Sequence, residues 1–430
     1  MSNLAWIGAG LFVFGYALIA MEQKFNTHKS AIALLMGGSL WMLAALAGRG
    51  TPAFTAITNE TAINIFSIIS FSLASMALIE IMAHYRFFDY VRMLLIKLRL
   101  GEKGQFVLFM ALCFILSGVL DNISLTICFI QIARRFFSGK NLLLVASGIV
   151  VAANAGGAWS PIGDVTSLLL WLGGKLSATQ MISGSFLPTL ALISVSGFWL
   201  YRKLDSSTTA AQTEEEEKIE LSRSEKLVIG SALGAFVLPL IANLIEVQPY
   251  TARLFGLGIT WAVIELVRVH SKRPHKSHLT ANIDKIVQSV DLSSIMYLMG
   301  ILLGVGALSS LGVLAYLSQT AVGAHPTDSW LITLSSLLGM ASAFVDNSAL
   351  VAIAMHVFPI HDPHIWVLIG IMAGTGGSLT IFGSAAGVVA MGSVKDLTFQ
   401  AYLKLATAPV VAGMIAALGV WFLQYLFLWS

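Results

Sequence analysis

Charge is scarce in this sequence. Asp, Glu, Lys and Arg make up 11% of its 430 residues, against roughly 25% in a soluble domain. With 57% of the chain hydrophobic, there is too little polar surface to cover a fold in water. That excludes a soluble enzyme or a nucleic-acid-binding domain and makes the lipid bilayer the expected partner. Cysteine is nearly absent. Cys113 and Cys128 both sit in apolar runs, and no CxxC or Cys/His spacing suggests a zinc site or a disulfide framework. They read as small buried hydrophobes, and no cofactor is expected. No basic residue precedes the first apolar run, Leu4 to Ala20, and no small-residue cleavage site follows it. A retained first helix is expected there, not a cleaved signal peptide.

What the chain does contain is long apolar runs. A spanning helix needs about 20 mostly apolar residues. Continuous candidates are 4–20, 31–48, 61–83, 184–201, 227–245, 250–269, 291–306 and 405–428. Two longer stretches, 141–172 and 364–392, are interrupted by glycines. Two more, 105–136 and 328–358, carry an Asp-Asn pair at their centres. Each arm of these last two is too short to cross alone, so they read as re-entrant hairpins. The expectation is ten crossings, eight continuous and two broken.

Basic residues orient the chain, because they favour cytoplasmic loops. With the N-terminus outside, the inside segments 21–30, 84–104, 134–140, 202–226, 268–290 and 393–404 hold 22 of the 25 Lys and Arg. Only Arg49, Lys175 and Arg253 fall elsewhere. The expected location is the bacterial inner (plasma) membrane, multi-pass. The segments 84–100 and 308–324 are amphipathic and are expected along the interface. The acidic run Glu214–Glu217 reads as part of a solvated linker.

The sequence repeats itself. Residues 117–122 read Ser-Gly-Val-Leu-Asp-Asn and residues 342–347 read Ser-Ala-Phe-Val-Asp-Asn. About 35 residues after each comes a glycine-rich stretch: Asn-Ala-Gly-Gly-Ala-Trp-Ser-Pro-Ile-Gly-Asp at 154–164 and Gly-Thr-Gly-Gly-Ser-Leu-Thr-Ile-Phe-Gly-Ser at 374–384. Each half crosses an odd number of times, so the second is expected upside down relative to the first. The fold class is therefore an all-α membrane protein of two inverted repeats, each with a re-entrant hairpin and a broken transmembrane helix. Residues 1–201 hold a first helix bundle and repeat 1. Residues 202–226 form a cytoplasmic linker, and 227–430 form repeat 2. Inverted repeats with paired broken helices are a recurrent plan of secondary transporters, with the site where the breaks meet.

Unwound backbone in a bilayer is tolerated only where it lines a cavity or is buried in protein. Three carboxylates, Asp121, Asp164 and Asp346, stand beside these elements, and an intramembrane carboxylate is a functional hypothesis by default. Around them are oxygen and amide groups: Ser117, Asn122, Asn154, Thr166, Ser342, Asn347, Thr375 and Ser378, with Ser160, Ser167, Thr380 and Ser384 nearby. Oxygen-rich sets suit hard cations. No Lys or Arg lies in either break or hairpin tip. Neighbouring carboxylates in a low dielectric resist ionising together. A proton and a cation then compete for the same oxygens, which is what an antiporter needs. Direct cation binding is expected at Asp164 with Asn154 and Thr166. Asp121 is expected to share in cation and proton binding, and Asp346 to be a proton carrier or a structural charge.

These motifs resemble the NhaD-type sodium/proton antiporters of the ion transporter superfamily. The resemblance rests on the paired Ser117-x-x-x-Asp121-Asn122 and Ser342-x-x-x-Asp346-Asn347, the run Asn154 to Ser167, and Gly374-Thr-Gly-Gly-Ser378. It covers about residue 60 to the end, and the run ending in Asp164 is its most specific piece. It implies a homodimer, a rigid scaffold at the interface, and a mobile transport domain of hairpins and broken helices. It also implies export of Na+, often Li+, in exchange for protons, with the polar residues Ser117, Asp121, Asn122, Asn154, Asp164, Thr166, Ser342, Asp346 and Asn347 expected to matter; the Na+ itself is expected on Asp121, Asn154, Asp164 and Thr166. Two alternatives stay open: a sodium-coupled carboxylate symporter on the same scaffold, and an intramembrane aspartyl protease. The protease would want Gly-x-Gly-Asp where this chain reads Pro161-Ile162-Gly163-Asp164.

Overall fold

In a medium without water, backbone N–H and C=O groups must pair within the chain, and an apolar run meets that demand as a helix. The computed structural model describes residues 2–21, 27–98, 100–120, 122–205, 220–270, 288–323 and 325–429, and helices are the regular elements among them. The first half comprises α1 (Asn3–Ala20), α2 (Lys29–Gly48), α3 (Pro52–His84), α4 (Phe87–Lys97), α5 (Glu102–Ser117), α6 (Asn122–Phe136), α7 (Gly139–Trp159), α8 (Val165–Leu172) and α9 (Ala178–Arg202). The second comprises α10 (Arg223–Asn243), α11 (Pro249–His270), α12 (Leu292–Ser310), α13 (Val313–Leu317), α14 (Asp328–Ala341), α15 (Asn347–Val357), α16 (Pro363–Gly376), α17 (Ala385–Ser393), α18 (Phe399–Tyr402) and α19 (Ala408–Phe427). Wide π-type turns follow α13 at Ser318–Val322 and α18 at Leu403–Thr407.

Among the described residues, seven segments are long and apolar enough to cross a membrane: α2, α3, α7, α9, α10, α12 and Phe399–Phe427. The other expected crossings differ from these in kind. α1 is a shorter apolar helix, α11 carries Arg253, Glu265 and Arg268, and α16 and α17 are divided by the second break. The amphipathic stretch expected at 84–100 contains α4. Of the expected linker, 206–219 lie outside the described residues, as do 271–287 of the basic loop before α12.

α3 begins at Pro52, well before the start at 61 expected from hydropathy. Thr51 caps it by accepting from Phe54 N at 3.2 Å. Pro52 occupies the first turn, where its missing N–H is not needed. A helix of 33 residues reaches about 50 Å, beyond a hydrocarbon core of about 30 Å. Its polar start, through Thr58, Asn59 and Glu60, is therefore helix where hydropathy alone suggested loop.

The helices pack in two sets. In the first, α2 lies along α12 in the most extensive contact of the chain, and α10 pairs with α11. α3 touches α10, α11 and α12, and α1 lies on α2. In the second, α9 lies along α19, α5 and α6 pack on α7, and α14 packs on α16. α6 meets α17 across the halves, and α15 meets α8. The sets touch where α15 meets α12 and where α3 meets α8.

Hairpin and broken helix approach closely at corresponding points of the two halves. Gly156 on α7 abuts the Phe114 carbonyl of α5, and Gly376 on α16 abuts the Gly339 carbonyl of α14. A methyl at either glycine would lie far inside van der Waals contact of a backbone oxygen, which cannot rotate away. Gly156→Ala is expected to lower stability by about 2 kcal/mol or more. The measurement is the melting temperature of purified protein, and an unchanged value would contradict this close approach.

Candidate ion-binding site

The first break follows from Pro161. The residue before a proline avoids the helical region, and Ser160 adopts φ −117°, ψ 140°. Helix resumes at Val165 with Asp164 as its cap, the carboxylate accepting from Val165 N at 2.8 Å. The second break has no proline. It runs from Gly377 to Ser384, and Ser384 Oγ caps α17 by accepting from Gly387 N at 3.2 Å.

Each break is fastened to its hairpin in the same way. Ser117 Oγ donates to the Ala153 carbonyl at 2.7 Å, and Ser342 Oγ donates to the Ala373 carbonyl at 2.8 Å. Both serines are fully buried. In a helix the hydroxyl of a serine or threonine usually bonds within its own turn. Here both reach a neighbouring helix instead, so the Ser-x-x-x-Asp-Asn motif begins with a fastening.

Asn154, fully buried on α7, joins the two halves. Its Oδ1 accepts from Asn122 Nδ2 at 3.3 Å. Its Nδ2 donates to Ser378 Oγ at 2.9 Å and to Ser384 Oγ at 2.8 Å. The tip of the first hairpin, the end of the first half-helix and both sides of the second break thus share one amide. Asp164 belongs to a second cluster. Its Oδ2 accepts from Asn347 Nδ2, at the tip of the second hairpin, at 3.2 Å. Asn122 and Asn347 occupy the same place in the repeated motif, and each faces the break region from the opposite hairpin.

The remaining candidates fall around these clusters. Thr166, on the first turn of α8, is fully buried, and its Oγ1 has no hydrogen-bond partner among the described residues. An unpaired buried hydroxyl costs about 1–3 kcal/mol, which makes Thr166 Oγ1 a candidate cation ligand. Thr375 Oγ1 donates to Ile371 O in its own helix at 2.6 Å. Asp346 caps α15, accepting from Ser348 N at 3.0 Å and Ala349 N at 3.4 Å. Asp121 lies outside the described residues. The N-termini of α8, α15 and α17 are capped in this region by Asp164, Asp346 and Ser384 respectively.

Several polar residues of this region were not singled out by the sequence. Tyr402 OH donates to the Ser378 carbonyl, and Thr407 Oγ1 to the Leu379 carbonyl, each at 2.7 Å. Together they hold the second break from the side of α18 and the π turn. Glu60, Thr61 and Asn64 on α3, Ser309 on α12 and His356 on α15 line a small pocket between the two helix sets. A second, larger pocket of about 1220 Å³ is lined by His28, Lys29, Asp291 and, beside the first hairpin tip, Ile123. α8 ends at the first pocket, and α17 opens on the second.

The chain resembles known proteins over most of its length. The chain matches the CitMHS family, described as citrate transporter, over residues 16–369. It is 31% identical to sodium/proton antiporter 1 of Arabidopsis thaliana, over 97% of this chain and 74% of that protein. With sodium/proton antiporter 2 of the same plant it shares 31% over 95% of this chain and 97% of the other. With the Na+/H+ antiporter NhaD of Alkalimonas amylolytica it shares 27% over 97% and 90%. Fold and relatives together define a multi-pass membrane transporter, not an enzyme, which sets the aspartyl protease aside. The chain belongs to the CitMHS family and to the NhaD-type sodium/proton antiporters.

Proposed function

We propose that the protein exports Na+, and Li+ as well, in exchange for H+, through one site that holds either a cation or a proton. The observation that carries this reading is the oxygen set at the first break. Asp164 supplies a carboxylate, Thr166 a buried hydroxyl with no partner among the described residues, and Asn154 an amide oxygen within the polar bridge. Asn122, Asn347 and Ser378 hold that set in place, and Ser117, Ser342 and Thr375 complete the polar surroundings of the proposed site. Asp121 adds a second carboxylate to the proposed site, and Asp346 a charge at the other hairpin tip. The transported ions are substrates, and no resident cofactor is part of the proposal.

The two repeats are proposed to be inverted, with 105–136 and 328–358 as re-entrant hairpins. The equivalent fastenings at Ser117 and Ser342 support this, as does the exchange of partners between α6–α17 and α15–α8. The two pockets, at opposite ends of α12, are the proposed routes for alternating access. The larger reaches the first hairpin tip from the side of Lys29, so the conformation described is proposed to face the cytoplasm. A homodimer with its contact around 31–83 and 250–306, seated in a bacterial inner membrane and serving pH homeostasis, completes the proposal.

The family description names citrate, so carboxylate transport is the competing reading. A carboxylate substrate would want positive partners, yet neither break nor hairpin tip contains Lys or Arg. Thr166→Val tests the cation reading at one atom. The swap keeps side-chain volume and removes only an oxygen without a partner among the described residues, so stability should be unchanged or slightly higher. The apparent KM for Na+ should rise about tenfold, by analogy with the loss of one metal-site contact. Melting temperature and Na+-dependent proton release in inverted vesicles are measured together. A destabilised variant with an unchanged KM would contradict a ligand role for Thr166.

A further inference from the structure

The cytoplasmic end of α9 carries a surface groove outside the proposed ion site. It measures about 930 Å³ and is lined by Ser194, Val195, Phe198, Trp199, Arg202 and Lys203. Phe198 is 62% exposed and Trp199 42%, on a helix apolar enough to span a bilayer. Both basic side chains lie against these rings. The Arg202 guanidinium is 5.9 Å from the Phe198 centroid, and the Lys203 ammonium is 5.9 Å from the Trp199 centroid. An apolar channel capped by two cations where basic residues mark the cytoplasmic side has the polarity of a phospholipid with an acidic headgroup.

We infer that this groove binds an anionic phospholipid of the cytoplasmic leaflet. Its acyl chains lie along Val195, Phe198 and Trp199, and its phosphate meets Arg202 and Lys203. Trp and Arg or Lys together at this depth suit the headgroup region. Charge complementarity is the argument for the occupant. Lys203 is partly desolvated and lies near Lys140, and both effects, burial first, lower its pKa. A phosphate would offset both. Lys140 is already paired with Asp205 at 3.1 Å, which leaves Arg202 and Lys203 as the headgroup pair.

The groove also touches the transport machinery. Lys203 Nζ donates to the Leu405 carbonyl at 3.0 Å. Pro409, four residues on, has no N–H with which to close an ordinary helical turn onto that carbonyl, and the chain widens into the π turn Leu403–Thr407. Thr407, at the end of that turn, donates to Leu379 in the second break. An ammonium has three donors, so Lys203 can hold phosphate and carbonyl at once. The lipid would then brace the turn that supports the break.

The test uses the full chain, stripped of lipid in a neutral detergent. It is titrated with phosphatidylglycerol or phosphatidylcholine of the same acyl chains, and bound lipid is counted by native mass spectrometry. Each basic side chain should contribute about fivefold, so phosphatidylglycerol should be preferred about 25-fold. Arg202→Gln removes one cation that makes a ring contact but no salt bridge among the described residues, so the fold should persist while the preference falls to about fivefold. Inorganic phosphate at the same concentration should not displace the lipid, because it lacks the chains that fill the groove. Equal retention of both lipids, a full preference in Arg202→Gln, or displacement by phosphate would each overturn the proposal. None of these outcomes bears on Na+ and H+ exchange, which is measured separately after reconstitution into sealed vesicles.

Discussion

Asp164→Asn is expected to abolish Na+-dependent proton release in inverted vesicles, lowering the rate by about 100-fold or more, while the protein still folds. The substitution removes a charge and a titrating proton but little else. Asn is as good a helix cap as Asp, so Val165 N keeps its acceptor. Asn347, which donates to the other carboxylate oxygen, can rotate its amide to present its own oxygen. Melting temperature should therefore fall by no more than a few degrees, a shift that corresponds to a cost near 1 kcal/mol. Retention of near-normal exchange by this variant would remove the carboxylate competition from the first break. Loss of exchange with gross unfolding would assign Asp164 a structural role instead.

Asn154→Ala should be the most damaging change that leaves every charge in place. It deletes three hydrogen bonds at once, to Asn122, Ser378 and Ser384. Asn122 and Ser378 are themselves buried, and an unsatisfied buried polar group costs about 1–3 kcal/mol. The expected loss is about 3 kcal/mol or more, together with loss of transport, because the first hairpin tip and the second break lose their common partner. Asn154→Asp is the informative control. Its carboxylate can still accept from Asn122, and the two serine hydroxyls can turn to donate. Stability should then return most of the way toward wild type. If Asn154→Ala melts like wild type, the bridge does not hold the halves together.

Much of this was legible in the sequence, for identifiable reasons. Pro161 and the flanking glycines mark the first break because proline and glycine act on the chain locally. The Ser-x-x-x-Asp-Asn motif could be found because it occurs twice. The charge asymmetry between the breaks could be read from Asp164 standing opposite Ser384. Pairing across the fold could not. Nothing local tells that Asn154 bonds to Ser384, 230 residues away, or that Ser342 spends its donor on the Ala373 carbonyl. Tyr402 and Thr407 were missed because the short α18 and the π turn after it, which position them, have no periodic signature. Glu60 was missed because the polar start of α3 has the composition of a loop, and only the Thr51 cap and Pro52 carry the helix so far back.

The measurement closest to the central claim is the pH dependence of Na+ binding to purified protein, by calorimetry in buffers of different ionisation enthalpy. If cation and proton share the carboxylate at the first break, Na+ binding should release protons. Its apparent affinity should fall about tenfold for each unit of acidification across the titration of the site, and Asp164→Asn should lose the effect. Na+ affinity that does not change with pH, with no protons released, would contradict exchange at a shared site.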